Sequence, residues 1–403
     1  MPSNLKLYYA KRLKRDDLYT KSTYIEKELK NYMNHFNGKT VLCNCDDDEK
    51  SEFFKYFQKL FEVLGLKKLI GVHYESEQGK PSYKLELYKD TNNDGQVTWK
   101  DKVIKTPIYG DKKYTAGDFR SKDCIELLKE ADFVVTNPPF SLLREFVAQL
   151  IEYNKKFLII GNTNAIGYKQ IFPLFKENKI WLGISTNPES KEGCKGVMEF
   201  CAPKSYEIET KSCREDEEGN KYVKITNIRW FTNLNTSKRS KPLLLAGNYT
   251  PEEYPKYDNY DAINVDKVAD IPCDYPGIMG VPLTFMDKYC PEQFEIVGIS
   301  GAYCTCDLNQ NKDYSKYIGY HSDGTKNGRT GSTFGNCPAI IKNDMKHDYY
   351  RKGNETVQPI YTRIFVKNKH PEESKYRESN IKKHVLNKVF DTGIAFKVLQ
   401  KAA

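Results

Sequence analysis

The sequence predicts an α/β protein in which a doubly wound, mainly parallel sheet ends in an antiparallel edge pair and is followed by a smaller α+β domain. Three observations predict it. Short all-apolar runs alternate with helical spacings through the first half of the chain. Residues 194–232 then read as two alternating strands, GVMEFCA and YVKITNIRWFT, joined by the acidic turn REDEEGN. From about residue 249 Tyr, Pro, Gly and Asn accumulate and helical periodicity fades. The boundary is therefore expected near there, giving domains 1–248 and 249–403.

The elements follow in order. Residues 16–36 place Tyr24, Ile25, Leu29, Tyr32, Met33 and Phe36 on one helical face. Thr40 to Cys43 is a first strand, the aromatic-rich stretch Ser51 to Phe61 a helix, and Leu66 to Tyr74 a second strand. Residues 81–117 read as an inserted hairpin, SYKLELYK and QVTWKDKVI around Asn93-Asp94-Gly95. That turn nearly matches a calcium-binding loop. Its flanks read as strands, and position twelve is Asp101 rather than Glu, so a plain turn is expected and no metal. Asp123 to Lys129 is helical, and Asp132 to Thr136 is a buried strand. Ser141 to Tyr153 is an amphipathic helix with Leu143, Phe146, Val147 and Leu150 inward, and Phe157 to Gly161 is another strand.

Composition narrows the class. There is no apolar run of membrane-spanning length, and the basic N-terminal stretch lacks the apolar core of a secretory signal. The cysteines lack C-x-x-C spacing, and reduced cytoplasmic thiols are expected. The formal net charge is +9, and residues 341–403 hold 14 Lys/Arg against 7 Asp/Glu. Such a basic end suits a polyanion, or simply a solvated lysine-rich surface.

The sharpest signal is Asn137-Pro138-Pro139-Phe140, between a buried strand and a helix. An aromatic amine is a poor nucleophile because its lone pair is delocalised into the ring. Acceptors on both amino hydrogens draw the nitrogen towards sp3 geometry and free that pair. The Asn137 side-chain oxygen and the Pro138 carbonyl are the two acceptors available here. Pro138 and Pro139 fix their own φ, and Pro138 biases Asn137 away from helical angles. The turn thus holds its acceptors at preset positions. Phe140 offers a face on which an extruded base can stack.

Four stretches now bear on identity: CNCDDDEKSEFFKYFQKLFEVLGLKKLI, GDFRSKDCIELLKEADFVVTNPPFSLLREFVAQLIEYNKKFLIIGN, YPKYDNYDAINV and GIMGVPLTFMDKYCPEQFEIVG. Together with the tetrapeptide they resemble the EcoRI-type adenine-N6 DNA methyltransferases, over about residues 17–300. The resemblance implies a Rossmann-like sheet, S-adenosylmethionine as cofactor, duplex DNA as substrate with the target adenine flipped, and a C-terminal target-recognition domain. It also implies either the modification enzyme of a restriction–modification system, with a cognate restriction endonuclease as functional partner, or an orphan or phage counterpart; a cytoplasmic monomer is expected.

The same resemblance assigns roles. Asn137, Pro138, Pro139 and Phe140 are the catalytic tetrapeptide, Asn137 also facing the cofactor. Asp118 would accept from the amino group of the cofactor's adenine and Phe119 would pack on its ring, although a loop Asp there can equally cap the next helix. Tyr19 and Thr20 would lie along the methionine part, or Thr20 or Ser22 would N-cap a helix. Most relatives place a Gly-rich turn after the first strand. Here Cys43-Asn44-Cys45-Asp46-Asp47-Asp48 has no glycine, a departure the EcoRI type shares. Asn44 and Asp46 are the expected contacts there, unless the three adjacent carboxylates simply form a solvated loop, and Glu75 is expected on the ribose hydroxyls by analogy with dinucleotide sites. For DNA, Lys238 and Arg239 lie in a basic loop, Arg329 in the Gly-rich segment 326–335, and Arg363, Lys367 and Lys369 on or after a strand. The lysines are expected on phosphates, Arg329 or Arg363 on base edges. Methylation of an RNA base or a protein amide, and DNA binding without catalysis, are the competing readings.

Overall fold

A computed structural model describes residues 18–45, 52–185, 197–203, 206, 212–236, 238–245, 247–301, 308–341 and 346–371. The protein is a mixed α/β molecule with four sheets. It divides into two compact units, Met1–Thr236 and Ser237–Ala403.

The first unit is built on an eight-stranded sheet. Its centre is four parallel strands: β2 (Thr40–Cys43), β3 (Lys68–Val72), β6 (Phe133–Thr136) and β7 (Lys156–Asn162), in the order β3-β2-β6-β7. The residues of β2 and β6 are all buried, as expected of strands covered on both faces. β4 (Ser82–Leu87) and β5 (Ile104–Ile108) extend one edge antiparallel, and β12 (Ile228–Thr232) and β8 (Trp181–Leu182) extend the other. Among the described residues five helices belong to this frame: α1 (Ser22–Leu29), α2 (Glu52–Lys59), α3 (Lys122–Glu130), α4 (Leu143–Glu152) and the short α5 (Phe172–Lys176). Phe53, Phe54 and Phe57 of α2 are buried in the same core as Phe36, Phe133 and Trp230. Edge-on ring pairs such as Phe36 with Phe57, 5.2 Å apart, lock that core.

A second sheet in this unit is wholly antiparallel: β1 (Tyr19–Thr20), β9 (Met198–Ala202), β11 (Lys221–Ile225) and β10 (Cys213–Glu215), in the order β1-β9-β11-β10. The stretch read as one strand, YVKITNIRWFT, is two. Asn227 sits at φ 61°, a left-handed turn that Asn tolerates, and sends β11 and β12 into different sheets. The antiparallel pair on the β7 side of the main sheet is therefore β12 with β8, while GVMEFCA pairs in the second sheet.

The hairpin also departs from expectation. β4 pairs with Ile104–Ile108, and residues 96–103 are not a strand. Asp101 draws in the backbone N–H groups of Thr91, Asn92 and Thr98, and Asp90 takes those of Asn93 and Gly95. Those donors are lost to any ladder. The backbone donors, that of Thr91 foremost, hold the Asp101 carboxyl down at about 2.

The second unit holds two further sheets. One is β13 (Ile263–Asn264), β14 (Ile278–Pro282), β21 (Arg363–Asn368) and β15 (Phe294–Ser300), in the order β13-β14-β21-β15. The other is β17 (Lys326–Thr330), β16 (Ile318–Tyr320), β19 (Tyr349–Lys352), β20 (Glu355–Pro359) and β18 (Ala339–Ile341), in that spatial order and antiparallel throughout. Among the described residues of this unit the only helical turns are short 3-10 turns, so the α part of the expected α+β domain is not found there. The Pro, Gly and Asn that break helical periodicity are the physical reason. The basic stretch KYRESNIKKH lies outside the described residues.

Candidate active site

The Asn137–Phe140 turn leaves the carboxyl end of β6. Asn137 follows Thr136, Pro138 is buried, and Phe140 opens a 3-10 turn that runs into α4. Asn137 Nδ2 donates to the Leu18 carbonyl at 2.7 Å. That bond orients the amide and leaves Asn137 Oδ1 buried without a hydrogen-bond partner. A buried acceptor left empty is costly, roughly 1–3 kcal/mol, and signals a group reserved for something that arrives later. Phe140 is half-buried and meets Phe200 of β9 edge-on at 6.1 Å.

Leu18 immediately precedes β1, so Tyr19 and Thr20 come to this turn through the backbone. β1 is held by pairing with β9, Tyr19 opposite Cys201 and Thr20 opposite Phe200. Behind it Glu199, 5% exposed, is paired with Lys21 and with Arg214 at 2.8 Å. These cations, Arg214 foremost, hold the Glu199 carboxyl down at about 2. The N-cap of α1 is Lys21 without a side-chain bond, so neither Thr20 nor Ser22 caps that helix. Thr20 Oγ1 is instead buried and unbonded, as are Asn44 Nδ2 after β2 and Thr136 Oγ1 at the end of β6. Because β2 and β6 are parallel neighbours, Asn44 and Thr136 lie at the same end of the sheet. Three unsatisfied side-chain polar atoms and Asn137 Oδ1 thus gather where open α/β sheets bind ligands, outside the carboxyl ends of their strands. Asp46 lies outside the described residues.

The other half of the site is the loop after β5. Glu75 N–H donates to the Ala116 carbonyl at 2.9 Å, joining this loop to the end of β3. Gly117, at φ 81°, passes so close to the His73 carbonyl that a Cβ would collide with it. That approach sets Asp118 and Phe119 beside Glu75. Glu75 accepts from the Glu77 N–H at 2.9 Å, which lowers its carboxyl below the usual range. The cap of α3 is Ser121, accepting from the Cys124 N–H, so Asp118 is not a helix cap. Its carboxylate instead takes Arg120 Nε at 3.0 Å, Arg120 Nη2 at 2.8 Å and the Arg120 N–H at 2.9 Å. Phe119 is buried against Phe146 of α4, ring centres 4.9 Å apart. Gln149, one turn further along α4, donates to the Phe119 carbonyl at 3.1 Å. The helix that follows the Asn137–Phe140 turn therefore braces the Asp118-Phe119 loop.

Sequence reasoning missed the Leu18 carbonyl, Arg120 and Gln149. A backbone acceptor leaves no trace in residue type. Gln149 was legible in part, being three residues beyond the inward Phe146 on one helical face.

Of the DNA-facing candidates, all in the second unit, Arg329 is exposed on β17 and Lys367 is exposed on β21. Lys369 is exposed and its Nζ donates to the Pro291 carbonyl at 2.6 Å. Lys238 and Arg239 are half-buried, and burial lowers the Arg239 pKa from its usual value. Arg363 is buried at 8% exposure, with its guanidinium on Asn264 Oδ1 at 3.4 Å and Asp266 at 3.6 Å.

Residues 6–369 match the family described as adenine-specific methyltransferase EcoRI. The type II methyltransferase M.EcoRI of Escherichia coli is 46% identical over 319 residues, covering 77% of this chain and 93% of the relative. M.MgeORF184P of Mycoplasma genitalium is 39% identical over 310 residues, 76% of this chain and 90% of the relative. M.MpnI of Mycoplasma pneumoniae is 38% identical over 318 residues, 78% and 91%. No solved structure gives a significant match. The protein is an adenine-specific methyltransferase, and it belongs to the EcoRI methylase family.

Proposed function

We propose that this enzyme methylates N6 of an adenine flipped out of duplex DNA, as the modification half of a restriction–modification system in the cytoplasm. The observation that carries the reading is Asn137 Oδ1, a buried acceptor without a partner, oriented by the Leu18 carbonyl. Asn137 Oδ1 and the Pro138 carbonyl would accept the two amino hydrogens of the target. Phe140 would stack on the flipped base. The proton on N6 is lost to solvent after transfer, so no basic side chain is required at the nitrogen.

S-adenosylmethionine supplies the electrophilic methyl group when bound. The residues present fit it: Thr20 Oγ1, Asn44 Nδ2 and Thr136 Oγ1 await polar partners at the sheet end where the methionine portion would lie. Tyr19 would lie along that portion, and Asp46 would meet its ammonium group. Glu75 would take the ribose hydroxyls, and Asp118 and Phe119 the adenine. On this reading the eight-stranded sheet is a doubly wound, Rossmann-like methyltransferase sheet. The second unit is then the target-recognition domain of a monomeric enzyme. Lys238, Arg239, Lys367 and Lys369 would meet phosphates and Arg329 a base edge. Arg363 is left out of the interface because its guanidinium is already spent on Asn264 and Asp266.

The test is incubation with labelled S-adenosylmethionine and duplex DNA, followed by identification of the modified nucleoside. N6-methyladenine is expected. Label in RNA or protein, or none in any polymer, would overturn the reading.

A further inference from the structure

We propose that Arg120 is a positioning residue that makes the cofactor site selective for adenine, by pinning the Asp118 carboxylate so that one acceptor position is left open. The proposal rests on the assignment of Asp118 to the cofactor's adenine. A carboxylate offers about four lone-pair positions. Arg120 fills three of them: its own N–H and Nε bond to Oδ1, and Nη2 bonds to Oδ2. The remaining lone pair is on Oδ2, which matches the single hydrogen an adenine amine can direct at it. The fork also fixes the plane of the carboxylate, which a point charge would not do.

Arg120 is itself held on three sides. Its guanidinium lies 4.7 Å from the centre of the Tyr114 ring and 5.2 Å from that of Phe119. Tyr114 is tied down by Asp111, whose Oδ1 accepts the Tyr114 N–H at 2.9 Å. The third side is Glu145 of α4, whose carboxylate takes Arg120 Nη1 at 2.7 Å. The arginine therefore joins the adenine loop to the helix that grows out of the catalytic turn, alongside the Gln149 bond to Phe119. A side chain serving only as surface charge would not be stacked on two rings and bonded to two carboxylates.

The chemistry makes a sharp distinction available. Replacing the adenine amine by the oxo group of hypoxanthine puts an acceptor against a carboxylate that cannot turn away, and such a site rejects the analogue strongly. Binding of S-adenosylhomocysteine and S-inosylhomocysteine would be measured by calorimetry for the wild type, Arg120→Ala, Arg120→Lys and Asp118→Asn, with thermal melts to establish folding. In both Arg120 variants the preference for the adenosyl ligand should fall by about tenfold or more, because lysine keeps the charge but cannot hold both oxygens. Equal weakening of both ligands, or full retention of the preference in Arg120→Lys, would overturn the proposal. Should Arg120→Ala fail to fold, Arg120→Lys carries the test alone. Asp118→Asn separates the two levels: an undiminished preference there means the adenine does not sit on Asp118, and the site reading falls with it.

Discussion

Asn137 has two hydrogen-bonding ends with different fates. Nδ2 is committed to the Leu18 carbonyl, and Oδ1 is buried without a protein partner. Preorganised acceptors of this kind pay their desolvation in folding rather than in reaction. Asn137→Ala should therefore lower turnover by at least about a hundredfold while DNA affinity in gel-shift titrations stays near wild type. Equal loss of both would mean that Asn137 holds the turn together. The tetrapeptide was readable because its chemistry is local: two prolines, an amide and a ring in one turn. The Leu18 partner was not, since it is 119 residues away and acts through its backbone. For Arg363, residue type on a strand suggested a DNA contact, and the sequence carried no sign that its guanidinium is buried and turned to Asn264 and Asp266.

At the scale of elements, β1 is two residues long and cannot hold its place through its own ladder alone. The Glu199 cluster stabilises it through Lys21, the residue that follows β1, and Arg214 anchors the far side. A carboxyl held below its ordinary value contributes stability that is complete above that value and lost as pH falls through the folded one. For Glu199 that window runs from the ordinary 4.5 down to about 2. Wild type should exceed Glu199→Gln by roughly 1–2 kcal/mol in denaturant melts near neutrality, Arg214 being half-exposed and partly screened. The gap should close through the acid window, and a gap independent of pH would remove the titration from the account. The strands β2, β6 and β7 and helices α2, α3 and α4 were legible from periodicity because each buries one repeated pattern. The break at Asn227 and the loop around Asp101 were not. Both are decided by hydrogen bonding of single polar residues against an otherwise consistent strand pattern.

For the whole molecule, charge is the property that sequence conveys best and structure refines. The basic excess lies in the last part of the chain, and Lys367 and Lys369 are exposed at the end of β21. If both meet phosphates, the double variant Lys367→Ala/Lys369→Ala should reduce the slope of log affinity against log salt by about 2. An unchanged slope would place the DNA on another face. The change of texture near residue 249 falls inside the second unit, whose contact division comes earlier, between Thr236 and Ser237. Any reading of bases by that unit would depend on loop geometry that periodicity does not encode.

The pairing of β1 with β9 has a temporal consequence. Tyr19 leaves the ribosome early, yet its partner Cys201 is made some 180 residues later. At about 5–20 residues per second, the segment that orients Asn137 waits on the order of ten to forty seconds for the strand that holds it. The nascent chain can assemble its parallel strands in that interval, but the segment that carries the Leu18 partner of Asn137 still lacks β9. The second sheet is thus completed only after β9 has been made and pairs with β1.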